Sequence, residues 1–405
     1  MDEETEKETV HGECRRLFRI PFPGRFCYNG LTLILGDNMS QEEIIRSVCE
    51  AFCVSGTIRE IERIQNGHLH ETFKVTLEQE DGSERKVLLQ KINTYAFRKP
   101  VEVMKNIDRI TQHIRKKNEN GIYLRFGRTE DDKPYYIADE EHGGGFWRMY
   151  NYIESVTFNS CSDLSVIRRT GAAFGNFLNM LSDFEAETLY CSIPDFHNTP
   201  ARYEQMNAAI REDAAGRVKT AEPEIRTLLE DRDMVCRLTE LYNEGKLPVR
   251  VTHNDTKINN VLFDRDTMDP LAVIDLDTVM PGLAGHDFGD AVRFVANTTD
   301  EDDKNPENAK VDMEIFRAFT DGYLSETASR LTDMEIKTLA LSCYDITMEL
   351  ASRFLTDYLE GDKYFHTDYP DHNLVRTRCQ IALAKDMADK LDIMQAIVDE
   401  YAKKY

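Results

Sequence analysis

The chain has 405 residues, 41% of them hydrophobic, and a formal net charge of −23. This length and apolar content suit a folded protein of about two domains or lobes and exclude disorder as the default. The acidic balance, with no basic cluster, excludes nucleic acid as the main partner, yet it leaves room for a nucleotide whose phosphates are neutralised by Mg2+ and a few local cations.

Residues 1–38 combine the acidic start Asp2, Glu3, Glu4 and Glu6 with Arg15, Arg16 and Arg19, two prolines and the apolar run Leu31 to Leu35, without sustained periodicity. An acidic start is the opposite of a signal peptide's basic opening, and no apolar run approaches the ~20 residues of a membrane span. A cytoplasmic protein with no membrane partner is therefore expected. Residues 1–38 read as an N-terminal extension, either a true appendage or a stretch ahead of a native start at Met39. Nine cysteines, at 14, 27, 49, 53, 161, 191, 236, 343 and 379, form neither a disulfide framework nor a zinc-type pair, and read as thiols in a reducing compartment.

From Met39 the pattern sharpens. Ser40 and Glu43 predict a capping box that opens a helix carrying Ile44, Ile45, Val48 and Phe52. Alternation over 73–77 and 86–93, divided by Glu80-Asp81-Gly82-Ser83, predicts a hairpin, and Ile58 to Arg63 a further strand before it. Val101, Met104, Ile107, Ile110 and Ile114 predict a helix, and the strand-like stretches resume up to 147–154. Beyond Ser155 the spacing predicts helices over 163–182, about 200–218, 222–244, 308–326, 333–359 and 371–403, interrupted by three short apolar runs in 249–277. An α+β protein follows, with a small β-rich N-lobe over 39–153 and a larger, mainly helical C-lobe over 154–405.

The interruption carries the chemistry. Residues 251–262 read V-T-H-N-D-T-K-I-N-N-V-L on what looks like a short hairpin, and V-I-D-L-D follows at 273–277. Phosphoryl transfer needs a carboxylate to orient the attacking hydroxyl, oxygen ligands for Mg2+ and a cation near the phosphates. Asp255 fits the first role, Asn260 and Asp275 the second, and Lys257 the third; His253 reads as a brace for the loop. The alternative is a polar turn whose Asp and Asn satisfy backbone groups. The D-F-G at 287–289 is a decoy, because Asp287 follows Asp255 by 32 residues whereas Asp275 follows it by 20. Asp287 and Asp290 read as helix-start residues, with Asp290 pairing Arg293 or supporting the catalytic loop.

The constellation H-N-D-x-x-x-x-N with I-D-x-D resembles the aminoglycoside phosphotransferase and choline kinase superfamily. N-G-H-L-H-E-T-F (66–73), W-R-M-Y-N-Y-I-E (147–154), V-T-H-N-D-T-K-I-N-N, I-D-L-D-T-V-M-P-G (274–282), R-F-L-T-D-Y-L-E-G-D-K-Y-F (353–365) and Y-P-D-H-N-L-V-R-T-R (369–378) are similar to the N-acetylhexosamine 1-kinases, over about residues 45–400. The resemblance implies a bilobal protein-kinase-like fold and an enzyme that uses ATP and Mg2+ to phosphorylate the anomeric hydroxyl of GlcNAc or GalNAc to the α-1-phosphate. It also implies Asp255 as the base, Asn260 and Asp275 on the metal, and sugar contacts from Arg353, Tyr364 and His68. Without that frame, Arg353 reads as a helix arginine paired with Asp357 and Tyr364 as a core tyrosine.

Two departures from the general kinase pattern stand out. Gln90 occupies the strand position of the usual phosphate-binding lysine, while Lys91, by alternation, faces the other way. The loop at 65–70 holds one glycine, Gly67, where a nucleotide-cradling loop has several. Backbone groups of Tyr152, Ile153 and Glu154 are expected to meet the adenine. The alternatives are a kinase of the same fold for choline, homoserine, methylthioribose or an aminoglycoside, a nucleotide- or sugar-binding pseudokinase suggested by Gln90, and a protein kinase, against which the missing A-P-E segment argues.

Overall fold

The computed structural model describes residues 39–64, 70–119 and 121–405. The N-terminal extension and two expected site residues, Gly67 and His68, lie outside them. Helix α1 (Gln41–Ala51) opens on the predicted capping box: Ser40 N–H donates to Glu43 Oε2 at 2.6 Å, and Glu43 N–H returns a bond to Ser40 Oγ at 3.3 Å. Strands β1 (Thr57–Ile64), β2 (Glu71–Glu78) and β3 (Glu84–Ile92) then form an antiparallel meander. Helix α2 (Pro100–Lys117), with Pro at its first position where a missing N–H costs nothing, leads to β4 (Tyr136–Ala138) and β5 (Gly145–Asn151). The sheet order is β1-β2-β3-β5-β4. Phe73, Val75, Val87, Leu89, Trp147 and Met149 pack on α1 from one face, as the two-residue strand period requires.

The rest is mainly helical: α3 (Leu164–Met180), α4 (Thr199–Glu212), α5 (Glu222–Glu230), α6 (Arg232–Val235) and α7 (Arg237–Asn243) precede a segment of four short strands. These are β6 (Arg250–Thr252), β7 (Val261–Phe263), β8 (Pro270–Val273) and β9 (Met280–Gly282). Helices α8 (Ala284–Val295), α9 (Met313–Thr327), α10 (Asp333–Glu360), α11 (His372–Asp389) and α12 (Leu391–Lys404) complete the chain. Two close approaches fix the helical packing. A Cβ on Gly322 would lie 1.8 Å from the Arg168 carbonyl oxygen, so α9 can cross α3 only with glycine there. A Cβ on Gly289 would lie 2.4 Å from the Ser342 carbonyl oxygen, which presses α8 onto α10.

Four expectations need correction. The motif at 251–262 is not the tip of one hairpin: β6 pairs with β9 and β7 with β8, so residues 253–260 join two separate two-stranded sheets. The predicted helix 222–244 is three pieces, broken at Asp231 and Cys236, and 371–403 is two helices that meet at Lys390. The helix from about 200 ends at Glu212, where Asp213 adopts φ +43°. Among the described residues no helix is long and apolar enough to cross a membrane.

Candidate active site

The crossover between the two small sheets forces the catalytic-type loop to be held from outside. Asp287, in the first turn of α8, accepts hydrogen bonds from the N–H groups of His253 (2.8 Å) and Asn254 (2.7 Å). Asp290, one turn on, accepts from Thr256 N–H at 2.9 Å and pairs with Arg293. The H-D-F-G-D stretch is thus the buried support of the loop. Burial pushes the Asp287 carboxyl up to about 6, whereas at Asp290 the charges of Arg293 and Lys257 outweigh burial and hold it at about 2.

His253 is wedged between Phe174 and Phe177, with ring centroids at 5.8 and 5.7 Å. Its Nδ1 accepts from Asp255 N–H (3.3 Å), which leaves Nε2 to donate to the Ile274 carbonyl (2.8 Å). One imidazole therefore ties the backbone of Asp255 to the residue before Asp275. Asn254 adopts φ +64° and donates its side-chain amide to the carbonyls of Thr252 and Thr278, which turns the chain so that Asp255 leaves the support.

The structure brings Asp255, Lys257 and Asn260 together. Lys257 Nζ lies 2.9 Å from Asp255 Oδ1, and Asn260 Nδ2 lies 3.2 Å from Oδ2 and 2.8 Å from the Asp255 carbonyl. Burial acts to lower the Lys257 ammonium, but the charges of Asp255 and Asp290 outweigh it and hold the group above its ordinary value. Asp275 sits just past β8 at φ +59°. Burial, then the charges of Asp277 and Asp255, push its carboxyl up to about 7. That excess of negative charge suits a bound divalent cation, and Asn260 and Asp275 supply the hard oxygen donors Mg2+ prefers. Among the described residues no group of three or more His, Cys, Asp or Glu forms a metal cage; Mg2+ held by one or two protein oxygens and the nucleotide phosphates needs none.

Gln90 belongs to a polar network that the local sequence pattern does not reveal. Its amide donates to Thr72 Oγ1 (3.0 Å), and its carbonyl accepts from Arg148 Nε (2.8 Å) on the adjacent strand. The Arg148 fork then takes both oxygens of the buried Asp277, with Nη2 to Oδ2 at 2.8 Å. His70 Nδ1 accepts from Asn93 N–H, so its Nε2 donates to Asp277 Oδ2 at 3.0 Å. Arg148 and His70 outweigh burial and hold the Asp277 carboxyl well below the usual range. The carboxylates of α2, Glu102 and Asp108, pair elsewhere, with Lys99 and Arg128. Lys91, on the opposite face, donates to the Gly143 carbonyl and lies over Trp147. The signal in the sequence was W-R-M-Y in a strand otherwise buried and apolar: a charge there needs a partner.

At the expected adenine edge, Tyr152 N–H donates to the Lys86 carbonyl (3.2 Å), Ser155 Oγ to the Ile153 carbonyl (2.9 Å), and the Glu154 carboxylate pairs with Lys86. Val156 bridges to Phe263 of β7, so this segment also joins the sheet to the loop strands.

Arg353, on α10, does not pair with Asp357. It lies between Phe196 (4.9 Å from the guanidinium carbon to the ring centroid) and Phe365 (5.7 Å), with Nη1 3.6 Å from Glu349 Oε1. Among the described residues it makes no hydrogen bond, and its polar neighbour is the Glu349 carboxylate. Asp357 instead accepts from the N–H groups of Lys363, Tyr364 and Phe365 and caps the loop after α10. That cap turns Tyr364 outward: it is 69% exposed, with its ring edge-on to Phe365, and is not a core tyrosine.

A model of the phosphotransferase enzyme family matches residues 60–324, well over half of the chain and inclusive of every loop just described except the Arg353 segment. Among solved structures, a microcompartment-associated aminopropanol kinase aligns with a TM-score of 0.59 at 15% identity, over 86% of this chain and 98% of that one. An amicoumacin kinase in complex with AMP-PNP and Ca2+ aligns at 0.55 and 12%, over 85% and 94%. A spectinomycin phosphotransferase in complex with ADP aligns at 0.53 and 13%, over 87% and 99%. At these identities the likeness is one of fold.

Proposed function

This chain belongs to the phosphotransferase enzyme family, and we propose that it is a sugar kinase that transfers the γ-phosphoryl group of ATP to the anomeric hydroxyl of an N-acetylhexosamine, giving the α-1-phosphate. The observation that carries the choice of acceptor is Arg353, stacked between Phe196 and Phe365 with no hydrogen-bond partner among the described residues. An arginine held against two aromatic rings, with no hydrogen bond among the described residues, is suited to hydroxyl and carbonyl oxygens. Arg202 lies on the same carboxylate, Glu349, as Arg353. An amino alcohol or aminoglycoside would bring its ammonium group toward two guanidiniums, and like charges repel.

Asp255 accepts the hydrogen bond of the attacking hydroxyl and takes its proton late in the transfer; an anomeric hydroxyl is more acidic than an ordinary alcohol, which eases that transfer. Lys257 fixes one oxygen of that carboxylate and brings positive charge toward the transferred group. Asn260 and Asp275 would hold Mg2+, which neutralises charge on the phosphates. Gln90 is no mark of a pseudokinase in this reading, because Arg148 and Asp277 join the sheet to the metal segment where a lysine pair would do so.

A coupled assay of ATP consumption against free neutral sugars, choline, ethanolamine and aminoglycosides tests this. N-acetylhexosamines should be consumed and the cationic acceptors should not. Consumption of a cationic acceptor in preference would refute the assignment.

A further inference from the structure

We propose that Glu349 and His197 are positioning residues that fix Arg353 relative to the catalytic loop, so that acceptor recognition and the placement of Asp255 are mechanically one unit. The proposal rests on the reading of Arg353 as an acceptor contact.

Glu349 lies on α10 and is 1% exposed. Its Oε2 is 2.8 Å from His197 Nδ1, whereas Oε1 makes no hydrogen bond and stands 3.6 Å from Arg353 Nη1 and 3.8 Å from Arg202 Nε. A buried carboxylate without full hydrogen bonding is costly unless hydrogen-bond donors and cations face it. Here His197, Arg353 and Arg202 do so, and despite burial they hold the carboxyl below its ordinary value. Glu349 is thus an electrostatic anchor that restrains the Arg353 guanidinium without a direct hydrogen bond to it.

His197 carries the connection onward. Its Nε2 lies 3.4 Å from the carbonyl oxygen of Asn254, the peptide group that immediately precedes Asp255. His286 packs against the His197 ring at 5.2 Å, and burial, then the charge of His197, lower its imidazole to about 3, so it is a neutral spacer. Arg202 steadies the same segment: its Nε and Nη2 both donate to the Phe196 carbonyl at 3.1 Å, and the Phe196 ring is one of the two that sandwich Arg353. From Asp255 through the Asn254 carbonyl, His197 and Glu349 to Arg353, every step is a contact between buried or half-buried groups.

The test is steady-state kinetics on the full chain with whichever acceptor the wild type turns over. Glu349→Gln keeps an oxygen for His197 but removes the charge that restrains Arg353; the acceptor KM should rise about tenfold or more with the ATP KM within about twofold. Asn can mimic the Nδ1 side of a histidine, so His197→Asn should keep the bond to Glu349 and lose the Asn254 contact. Its kcat should fall about tenfold with the acceptor KM near the wild-type value, and His197→Gln, which mimics Nε2, should recover part of kcat. Phe196→Leu, which leaves every charge in place, should raise acceptor KM alone and serves if Glu349→Gln does not fold. An unchanged acceptor KM in both Glu349→Gln and Phe196→Leu would overturn the proposal, as would equal losses in acceptor and ATP parameters. If the acceptor proves not to be a neutral sugar, the assigned function fails while these ratios still decide the positioning role.

Discussion

Arg148 grips both oxygens of Asp277 from a strand of the N-terminal sheet, two residues past the carboxylate assigned to the metal. This buried fork, steadied by Gln90 and shared with His70, is a polar connection that joins the sheet to the segment that carries Asp275. Arg148→Met would leave the Asp277 charge with His70 alone, and breaking one partner of a buried pair costs about 3–5 kcal/mol. Urea unfolding should show that loss, with a smaller one for Arg148→Lys, which keeps the charge and loses the fork. Lys91→Ala, on the other face of the sheet, should leave turnover unchanged; a large loss of kcat there would restore Lys91 as a phosphate ligand.

Asp255→Asn removes the proposed proton acceptor while retaining a side chain for Lys257 and Asn260 to approach. kcat should fall by about 10²–10⁴, the usual worth of general base assistance. Calorimetric affinity for Mg–ATP should stay near the wild-type value, since the role proposed for Asp255 is toward the acceptor. Near-full turnover would mean that another group takes the proton.

Asp275→Ala and Asn260→Ala should behave in the opposite way. Nucleotide binding in the presence of Mg2+ should weaken toward the level seen in EDTA, because the oxygen donors proposed to hold the cation are gone. If either variant kept full Mg2+-dependent affinity, its place in the metal site would be lost.

The support of the catalytic loop should report on acid. The Asp290 carboxyl is held at about 2, below the ~3.9 of an unfolded aspartate, so its stabilising contribution is complete above about pH 4 and is lost as pH falls toward 2. Melting temperature against pH should fall through that window in the wild type. Asp290→Asn should start lower, with Arg293 left to Glu301, and fall less steeply across the same interval. Parallel curves would show that Asp290 does not drive the acid limb.

The grouping of the loop residues was legible because it is written in contiguous residues: His253, Asp255, Lys257 and Asn260 lie within eight positions of chain, and Asp275 follows at a spacing that one intervening two-stranded sheet sets. The capping box of α1 was legible for the same reason. What escaped is non-local. Gln90 was visible as a departure, but its resolution lies in an arginine whose partner is 129 residues away, and the His197 to Glu349 contact spans 152. The apparent hairpin failed because β6 finds its partner in β9, with the whole β7–β8 pair inserted between them. Helices α5 to α7 broke at Asp231 and Cys236, where no glycine or proline marks a stop and tertiary packing decides.

The most direct measurement is phosphorus NMR of the product formed from ATP, Mg2+ and N-acetylglucosamine or N-acetylgalactosamine. The expected product is a single α-configured 1-phosphate, its resonance coupled to the anomeric proton. A phosphate on C6, C4 or C3, or ATP left intact with both sugars while an amino alcohol is phosphorylated, would contradict the assignment.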